Sequence, residues 1–347
     1  MDKNIKLRPL ITVLMPVYNC ELYVSEAIES ILNQTFDDFE FLIIDDASTD
    51  KTVSIIKSFE DPRIHLIEKP INVGYTDSLN LGLKIANGKY IARMDGDDIS
   101  LPERFAKQIA FLETHPEVVL CGAWLNIIDS NRIVKLPENH TSIKLALLKG
   151  NCIVHPTIMM RKQTLDEFSI RYELSKEPAE DYALWVKLLR LGRLHNLQEV
   201  LLYYRKHGAQ VSSKRANEQQ KSALYTRIQL LKYLECNMTL KETETLNKVF
   251  SEDSNISFNE IEIFQSIIGK LLVSNSSEFF EPNGFKIYLF NIENRLIKRY
   301  FFNRDTYPIS NFIHYLKIKN KLGLKISTKK EIKLFAKSIF PYKLMNS

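Results

Sequence analysis

Acidic side chains gather at two places in numbers that a single structural job does not require. Asp95-Gly96-Asp97-Asp98 puts three carboxylates within four residues, and Asp45-Asp46 leads into Ala47-Ser48-Thr49-Asp50. Carboxylates so close repel one another unless a proton or a hard cation lies between them. Oxygen ligands around a glycine suit Mg²⁺ or Mn²⁺, ions that keep positions open for phosphate oxygens. The plainer reading is an acidic turn capping a helix, where an Asp accepts from free amides and complements the helix dipole. That suffices for Asp98 alone, and for Asp46 ahead of a helix opening near Thr49. It does not account for the trio, because capping needs one acid and Ser100 is available for it.

Both clusters end strands in an alternating pattern. Ile11 to Val17 is a β-branched apolar run stopping at Tyr18-Asn19, and Phe39 to Ile44 is a second, stopping at the Asp pair. Between them Val24, Ala27, Ile28 and Ile31 recur at helical spacing. A helical stretch to Phe59, a strand Ile64 to Ile67, a helical face of Leu79, Leu83 and Ala86, and a strand Tyr90 to Met94 lead to the trio. Ser100-Leu101-Pro102-Glu103 reads as a capping box opening a helix with Phe105, Ile109 and Leu112 inward. Val118 to Ile128 and Ile153 to Met160 add strands. Tyr182, Trp185, Leu188 and Leu189 share a helical face whose first turn carries Glu180 and Asp181. The expected fold is therefore α/β, a mostly parallel sheet flanked by helices. Ligands of such sheets bind beyond the carboxyl ends of the strands, where the acids stand. From Ala216 onward the alternation stops, which predicts one domain over residues 1–215 and a helical region over residues 216–347.

Other chemistries find little support. No G-x-G-x-x-G follows the first strand and no G-x-x-x-x-G-K-[ST] occurs, so dinucleotide and P-loop sites lose their main signals. The trio resembles the loop of haloacid-dehalogenase-like phosphatases with Asp95 as nucleophile. Its fifth position is Ile99, however, and the strand before it is the fourth rather than the first. Cys20, Cys121, Cys152 and Cys236 form no C-x-x-C pair, against a disulfide framework or zinc site and in keeping with a reducing cytosol. No long uncharged apolar run predicts a signal peptide or a membrane span.

The formal net charge of +5 is concentrated at one end. From Phe301 onward ten basic residues face two acidic ones, so the first 300 residues hold slightly more acid than base and offer no nucleic-acid surface. Leu322, Ile326, Ile332, Leu334, Phe335, Ile339 and Phe340 interleave with Lys325, Lys329, Lys330, Lys333 and Lys337. That predicts a cationic amphipathic helix around Ser327 to Phe340, either docked on anionic lipid or packed on the catalytic domain with its lysines solvated.

Read together and in order, Pro16-Val17-Tyr18-Asn19, Gln34-Thr35-Phe36, Asp45-Asp46-Ala47-Ser48-Thr49-Asp50 and Asp95-Gly96-Asp97-Asp98 resemble the family 2 glycosyltransferases of the GT-A fold over roughly the first 215 residues. The resemblance implies an inverting transferase with a nucleotide-diphosphate-sugar donor, usually a uridine one, and a divalent cation, Mn²⁺ or Mg²⁺. It implies a glycan or lipid-linked acceptor in bacterial surface-polysaccharide synthesis, at the inner face of the cytoplasmic membrane. The donor half would occupy about residues 1–100 and the acceptor half about 101–215. By the same resemblance Pro16, Tyr18 and Asn19 border the nucleotide, Asp46 accepts from the base, Asp95 meets the ribose, and Asp97 and Asp98 meet the metal.

Glu180-Asp181 with Trp185 looks like the family's acceptor-side helix, which makes Asp181 the general base. Tyr204-Arg205-Lys206-His207-Gly208-Ala209-Gln210-Val211-Ser212 resembles the stretch closing the family's catalytic domain, with His207 near the diphosphate and metal. His155-Pro156-Thr157 also fits a family pattern near the acceptor, although a strand-edge structural role is the reading the residues favour. One departure stands out: Ala47 occupies a position where the family has glycine, and a positive φ there would strain alanine. A non-catalytic nucleotide-sugar binding module would lack Asp97 or Asp181, and both are present.

Overall fold

The computed structural model describes residues 8–130, 132–208, 210, 214–251, 256–302, 309–319 and 328–339. Contacts divide the chain into Met1–Leu230 and Leu231–Ser347. The division comes later than the change of pattern at residue 215, because most of the helix Ala216–Lys232 lies within the first unit.

The first unit is built on one mixed sheet. Strands β1 (Ile11–Val17), β2 (Phe39–Asp45), β3 (Ile64–Glu68) and β4 (Tyr90–Arg93) run parallel in the order β3-β2-β1-β4. Beyond β4 come β8 (Met159–Arg161), β6 (Val118–Ile127), β9 (Arg193–Tyr204) and β5 (Ile99–Ser100), with β7 (Arg132–Val134) paired to the other end of β6. Here β8 is antiparallel to both neighbours, and only β6 and β9 run parallel.

Alternation along β1 sends Ile11, Val13, Met15 and Val17 to one face, where they meet Val24, Ala27, Ile28 and Ile31 of α1 (Val24–Leu32). The other face meets α3 (Tyr75–Ile85) at Leu14, so closely that a Cβ on Gly82 would lie 2.1 Å from the Leu14 side chain. Burial on both faces explains the continuous apolar runs of β1 and β2.

Ser100 does not cap a helix. The helix α4 (Arg104–Thr114) has no side-chain cap, while Ser100 lies in β5 and its hydroxyl accepts from Gln34 Nε2 at 3.1 Å. Pairing of Ile99 and Ser100 with Tyr203 and Leu202 wins over the local cap. Phe105, Ile109 and Leu112 of α4 face inward as their spacing predicts.

The second unit is helical in its described residues: Leu240–Phe250, Phe258–Ser274, Pro282–Phe302, Ile309–Ile318 and Thr328–Ile339. Thr239 and Ser257 each form a capping box, with Glu242 and Glu260 answering from the third helical position. The last helix matches the span expected for the basic tail. It buries Leu334 and leaves Ile332 62%, Phe335 44% and Ile339 42% exposed. Leu322, Lys325, Ile326, Ser327 and Phe340 of that expectation lie outside the described residues. Among the described residues no helix is long and apolar enough to cross a membrane.

Candidate active site

At the carboxyl ends of the parallel strands lies a cavity of about 850 Å³. The loops after β1 and β2 form one wall and are stitched together. Asn19 donates its amide to Ser48 Oγ at 2.9 Å and accepts from the Thr49 amide at 2.8 Å, while Asp50 accepts from the amides of Glu21 and Thr52. Pro16, Tyr18 and Asn19 line the cavity, with Tyr18 half exposed. Two residues here adopt left-handed backbone, Asn19 at φ 48° and Ala47 at φ 62°. Asparagine tolerates this conformation and alanine does not, so Ala47 is strained where the sequence pattern warned of it.

Asp46 lines the cavity yet is almost wholly buried. Its carboxylate accepts from the amides of Val73 and Gly74 at 3.2 and 2.8 Å and pairs with Lys69 at 2.7 Å. It therefore ties the loop after β3 to the end of β2, and it does not cap α2 (Thr52–Lys57), whose first turn is served by Asp50.

The trio meets at the end of β4. One carboxylate oxygen from each of Asp95, Asp97 and Asp98 lies within 4.8 Å of the others. Each acid is held differently. Asp95 pairs with Arg93, the last residue of β4. Asp97 Oδ2 lies 2.8 Å from His207 Nε2. Asp98 accepts the Arg205 amide at 2.9 Å on one oxygen, while the other is buried without a hydrogen-bond partner. Burial, then the charges of Asp95 and Asp97, hold the Asp98 carboxyl well above its usual range. Asp95 is also raised by burial, against the pull of Arg93. Crowded acids with an orphaned oxygen are what a cation would relieve, so these residues fit the metal that the sequence reading expects. Arg205 and His207 stand just past β9, and Tyr23 packs against both, 4.8 Å from the guanidinium and 4.9 Å from the imidazole ring. Ala209, Val211 and Ser212 of that closing stretch lie outside the described residues.

Across the cavity, α7 (Glu180–Leu188) opens with the acid pair. Glu180 is buried and accepts from the Tyr75 hydroxyl at 2.7 Å; Asp181 accepts from Asn151 Nδ2 at 2.7 Å. Burial pushes Glu180 up to about 8 and Asp181 up to about 6, with the charge of Asp181 adding to the rise of Glu180. Desolvation thus outweighs the helix N-terminus, which on its own would depress both.

Trp185 requires a correction. Expected on the acceptor side, it is fully buried beneath the cavity, its ring edge-on to His155 at 5.6 Å, because the apolar face of α7 turns inward to the core. His155 sits in a short 3₁₀ turn, not at a strand edge, and lines the cavity with Nε2 2.7 Å from the Tyr172 hydroxyl. Sequence reasoning missed Arg93, Tyr75, Asn151 and Arg205. Only Arg93 left a signal, as a basic residue inside an otherwise apolar strand.

Comparison with known proteins matches residues 12–170 to the model of glycosyl transferase family 2. A Haemophilus influenzae protein described as an uncharacterized glycosyltransferase is 32% identical, covering 95% of this chain and 97% of its own. The Escherichia coli UDP-Glc:alpha-D-GlcNAc-diphosphoundecaprenol beta-1,3-glucosyltransferase WfaP is 33% identical over 60% of this chain and 82% of its own. Among solved structures, S. aureus TarS in complex with UDP-GlcNAc superposes with a TM-score of 0.56 over 94% of this chain and 89% of its own, at 17% identity. The Pyrobaculum calidifontis mannosyltransferase PcManGT with GDP-Man and Mn²⁺ gives 0.52 over 85% and 86%, at 15% identity. The two structures speak for the GT-A fold alone, whereas the near-full-length relative speaks for the family. This chain belongs to glycosyl transferase family 2 and is a nucleotide-sugar glycosyltransferase.

Proposed function

We propose that the enzyme inverts configuration as it moves one hexose from a uridine-diphosphate sugar to a hydroxyl of a lipid-linked glycan, in the assembly of a bacterial surface polysaccharide. The observation that carries this reading is the placement of two acid groups of different character in one cavity: a crowded trio at the end of β4, and a buried pair at the head of α7. The named acceptor and donor of WfaP support the substrate class.

The roles follow from the environments. A single displacement needs one base and no covalent sugar intermediate. Asp181, raised to about 6, is ionised at neutral pH yet basic enough to take the acceptor proton, and Asn151 fixes its orientation. Glu180, raised to about 8, keeps its proton and leaves Asp181 as the one anion of the pair. Pro16, Tyr18, Asn19 and Asp46 border the base, and Asp95, fixed by Arg93, meets the ribose. Asp97 and Asp98 with His207 would hold Mn²⁺ or Mg²⁺, supported by the orphaned Asp98 oxygen and by the Mn²⁺ in PcManGT. When bound, the cation offsets the negative charge gathering on the departing diphosphate.

The last helix supports a second element of this reading, attachment to an anionic membrane surface at the cytoplasmic side. Ile332, Phe335 and Ile339 form an exposed apolar stripe beside exposed Lys329 and Lys333. Phe335 packs 4.9 Å from Phe312 of the preceding helix, which exposes Ile309, Ile313 and Leu316, also at helical spacing.

A thermal-shift series with uridine, guanosine and adenosine diphosphates, with and without Mn²⁺, tests the donor assignment. A ligand at 100 times its Kd stabilises by about 2.7 kcal/mol. Uridine diphosphate with Mn²⁺ should give the largest rise. A rise with none of the three, or a rise indifferent to Mn²⁺, overturns it.

A further inference from the structure

Of the groups lining the cavity, each acid has a hydrogen-bond or ion-pair partner, whereas two of the cations have no ion pair among the described residues. Each acid lining the cavity has a partner: Asp46 has Lys69, Asp95 has Arg93, Asp97 has His207, Glu177 has Arg215, Glu180 has Tyr75 and Asp181 has Asn151. Of the lining cations, Arg132 and Lys206 make no ion pair among the described residues.

Arg132 is exposed, and it lines the cavity from a paired strand. In β7 it pairs with Ile127 of β6, and Ile127 pairs on its other side with Tyr204 of β9, so the three lie on one face of the sheet. Leu125 and its partner Val134 continue that face, and all five residues line the cavity. Ile133, between Arg132 and Val134, points the other way and is 48% exposed. A one-residue register slip would exchange the two faces and put the isoleucine at the cavity instead. In the observed register both residues are exposed, and the cation is the one on the cavity face, beside Leu125, Ile127 and Val134. Lys206, two residues beyond Tyr204, brings a second positive charge to the end of β9.

We infer that Arg132 and Lys206 form an anion subsite for the diphosphate of a lipid-diphosphate acceptor, with Leu125, Ile127 and Val134 taking the start of its apolar chain. The inference deepens the transferase reading and rests on it. Guanidinium and ammonium groups recognise diphosphate oxygens by charge-assisted hydrogen bonds, and the neighbouring apolar wall distinguishes a lipid-borne diphosphate from a nucleotide.

Calorimetry on the full chain tests it, with a short polyprenyl diphosphate and the matching polyprenyl alcohol as probes, each in the presence of saturating uridine diphosphate and Mn²⁺. Wild type should bind the diphosphate at least about tenfold more tightly than the alcohol, and Arg132→Gln with Lys206→Gln should erase that preference. Affinity for uridine diphosphate itself should stay within about twofold in the same variant. Equal binding of the two prenyl probes by wild type overturns the subsite. A loss of uridine diphosphate affinity in the variant, with the prenyl preference intact, overturns it in favour of the donor's diphosphate. Should uridine diphosphate fail to bind wild type at all, the donor reading falls, and the prenyl comparison repeated without nucleotide still decides the subsite.

Discussion

Asp97 Oδ2 and His207 Nε2 lie 2.8 Å apart, joining the loop after β4 to the segment after β9. This contact brings an imidazole to the acid trio. Asp97→Asn removes one anion from that set, so transfer should be abolished and the Mn²⁺-dependent part of donor affinity lost. His207→Ala should weaken Mn²⁺ dependence less, since two carboxylates remain. Undiminished transfer by wild type in excess chelator would exclude both.

Asp181→Asn keeps the shape and one of the two hydrogen bonds that Asp181 accepts, from Asn151 and the Tyr182 amide, but removes the proton acceptor, and turnover should fall roughly 100-fold or more with donor affinity unchanged. A role confined to the first turn of the helix predicts little change in turnover, because Asp181 lies one residue inside the helix and Ala179 is its N-cap. The wild-type rate should drop about tenfold per pH unit below about pH 6, where Asp181 is protonated. A profile flat down to pH 5 reassigns the base.

The same shifts bear on stability. Glu180 and Asp181 have folded pKa values raised above their unfolded ones, so the folded chain holds protons that the unfolded chain releases between about pH 4 and pH 8. Stability contributed by these groups is therefore lost as pH rises through that window. Glu180→Gln retains an acceptor for Tyr75 and should stabilise by on the order of 1 kcal/mol or more at pH 8, with almost no effect at pH 4. Denaturant melts at the two pH values read this directly; equal effects at both would refute it.

Ala47 at φ 62° predicts a gain from the family's own residue. Ala47→Gly should raise stability by about 0.5–1 kcal/mol, the left-handed penalty of about 1–2 kcal/mol less the roughly 0.5–1 kcal/mol that the freedom of unfolded glycine costs. An unchanged or lower melting temperature would show that the loop is not strained.

Trp185→Phe separates support from contact. A fully buried indole whose Nε1 has no hydrogen-bond partner loses packing but no polar contact on this change. Stability should fall by roughly 1–2 kcal/mol while the acceptor KM stays within about twofold. A large rise in KM at unchanged stability would return Trp185 to the acceptor side.

Ile332→Asp with Phe335→Asp, on the exposed stripe of the last helix, should abolish co-sedimentation with anionic vesicles while leaving transfer to a soluble acceptor intact. Retained binding to vesicles would remove the membrane role of that helix.

Much of the donor side was legible because local pattern and tertiary placement agree there. β1, β2 and β4 are apolar on both faces and end at residues with chemistry, so run length and position sufficed. β9 was not legible: Arg-Leu-His-Asn-Leu-Gln-Glu-Val mixes polar and apolar residues, and its pairing with β6 is interrupted by register shifts. Missing β9 meant missing the partner of Ile99 and Ser100, which is why Ser100 passed for a cap. Trp185 misled for a related reason, since helical spacing shows that a face is apolar and not whether a cavity or a core lies against it. Arg205 meets Asp98 across more than 100 residues of chain, a pairing that no local spacing encodes.

The late return of β9 to the trio sets the limits of recombination in this enzyme. The family match ends at residue 170, but Arg205 and His207, which hold Asp98 and Asp97, come afterwards. A chimaera spliced at that boundary would take its carboxylates from one parent and their fastenings from the other. Exchange of segments between relatives is therefore constrained to crossovers that carry β5 and β9 together, since the two strands pair beside the same acidic loop although they are far apart in sequence.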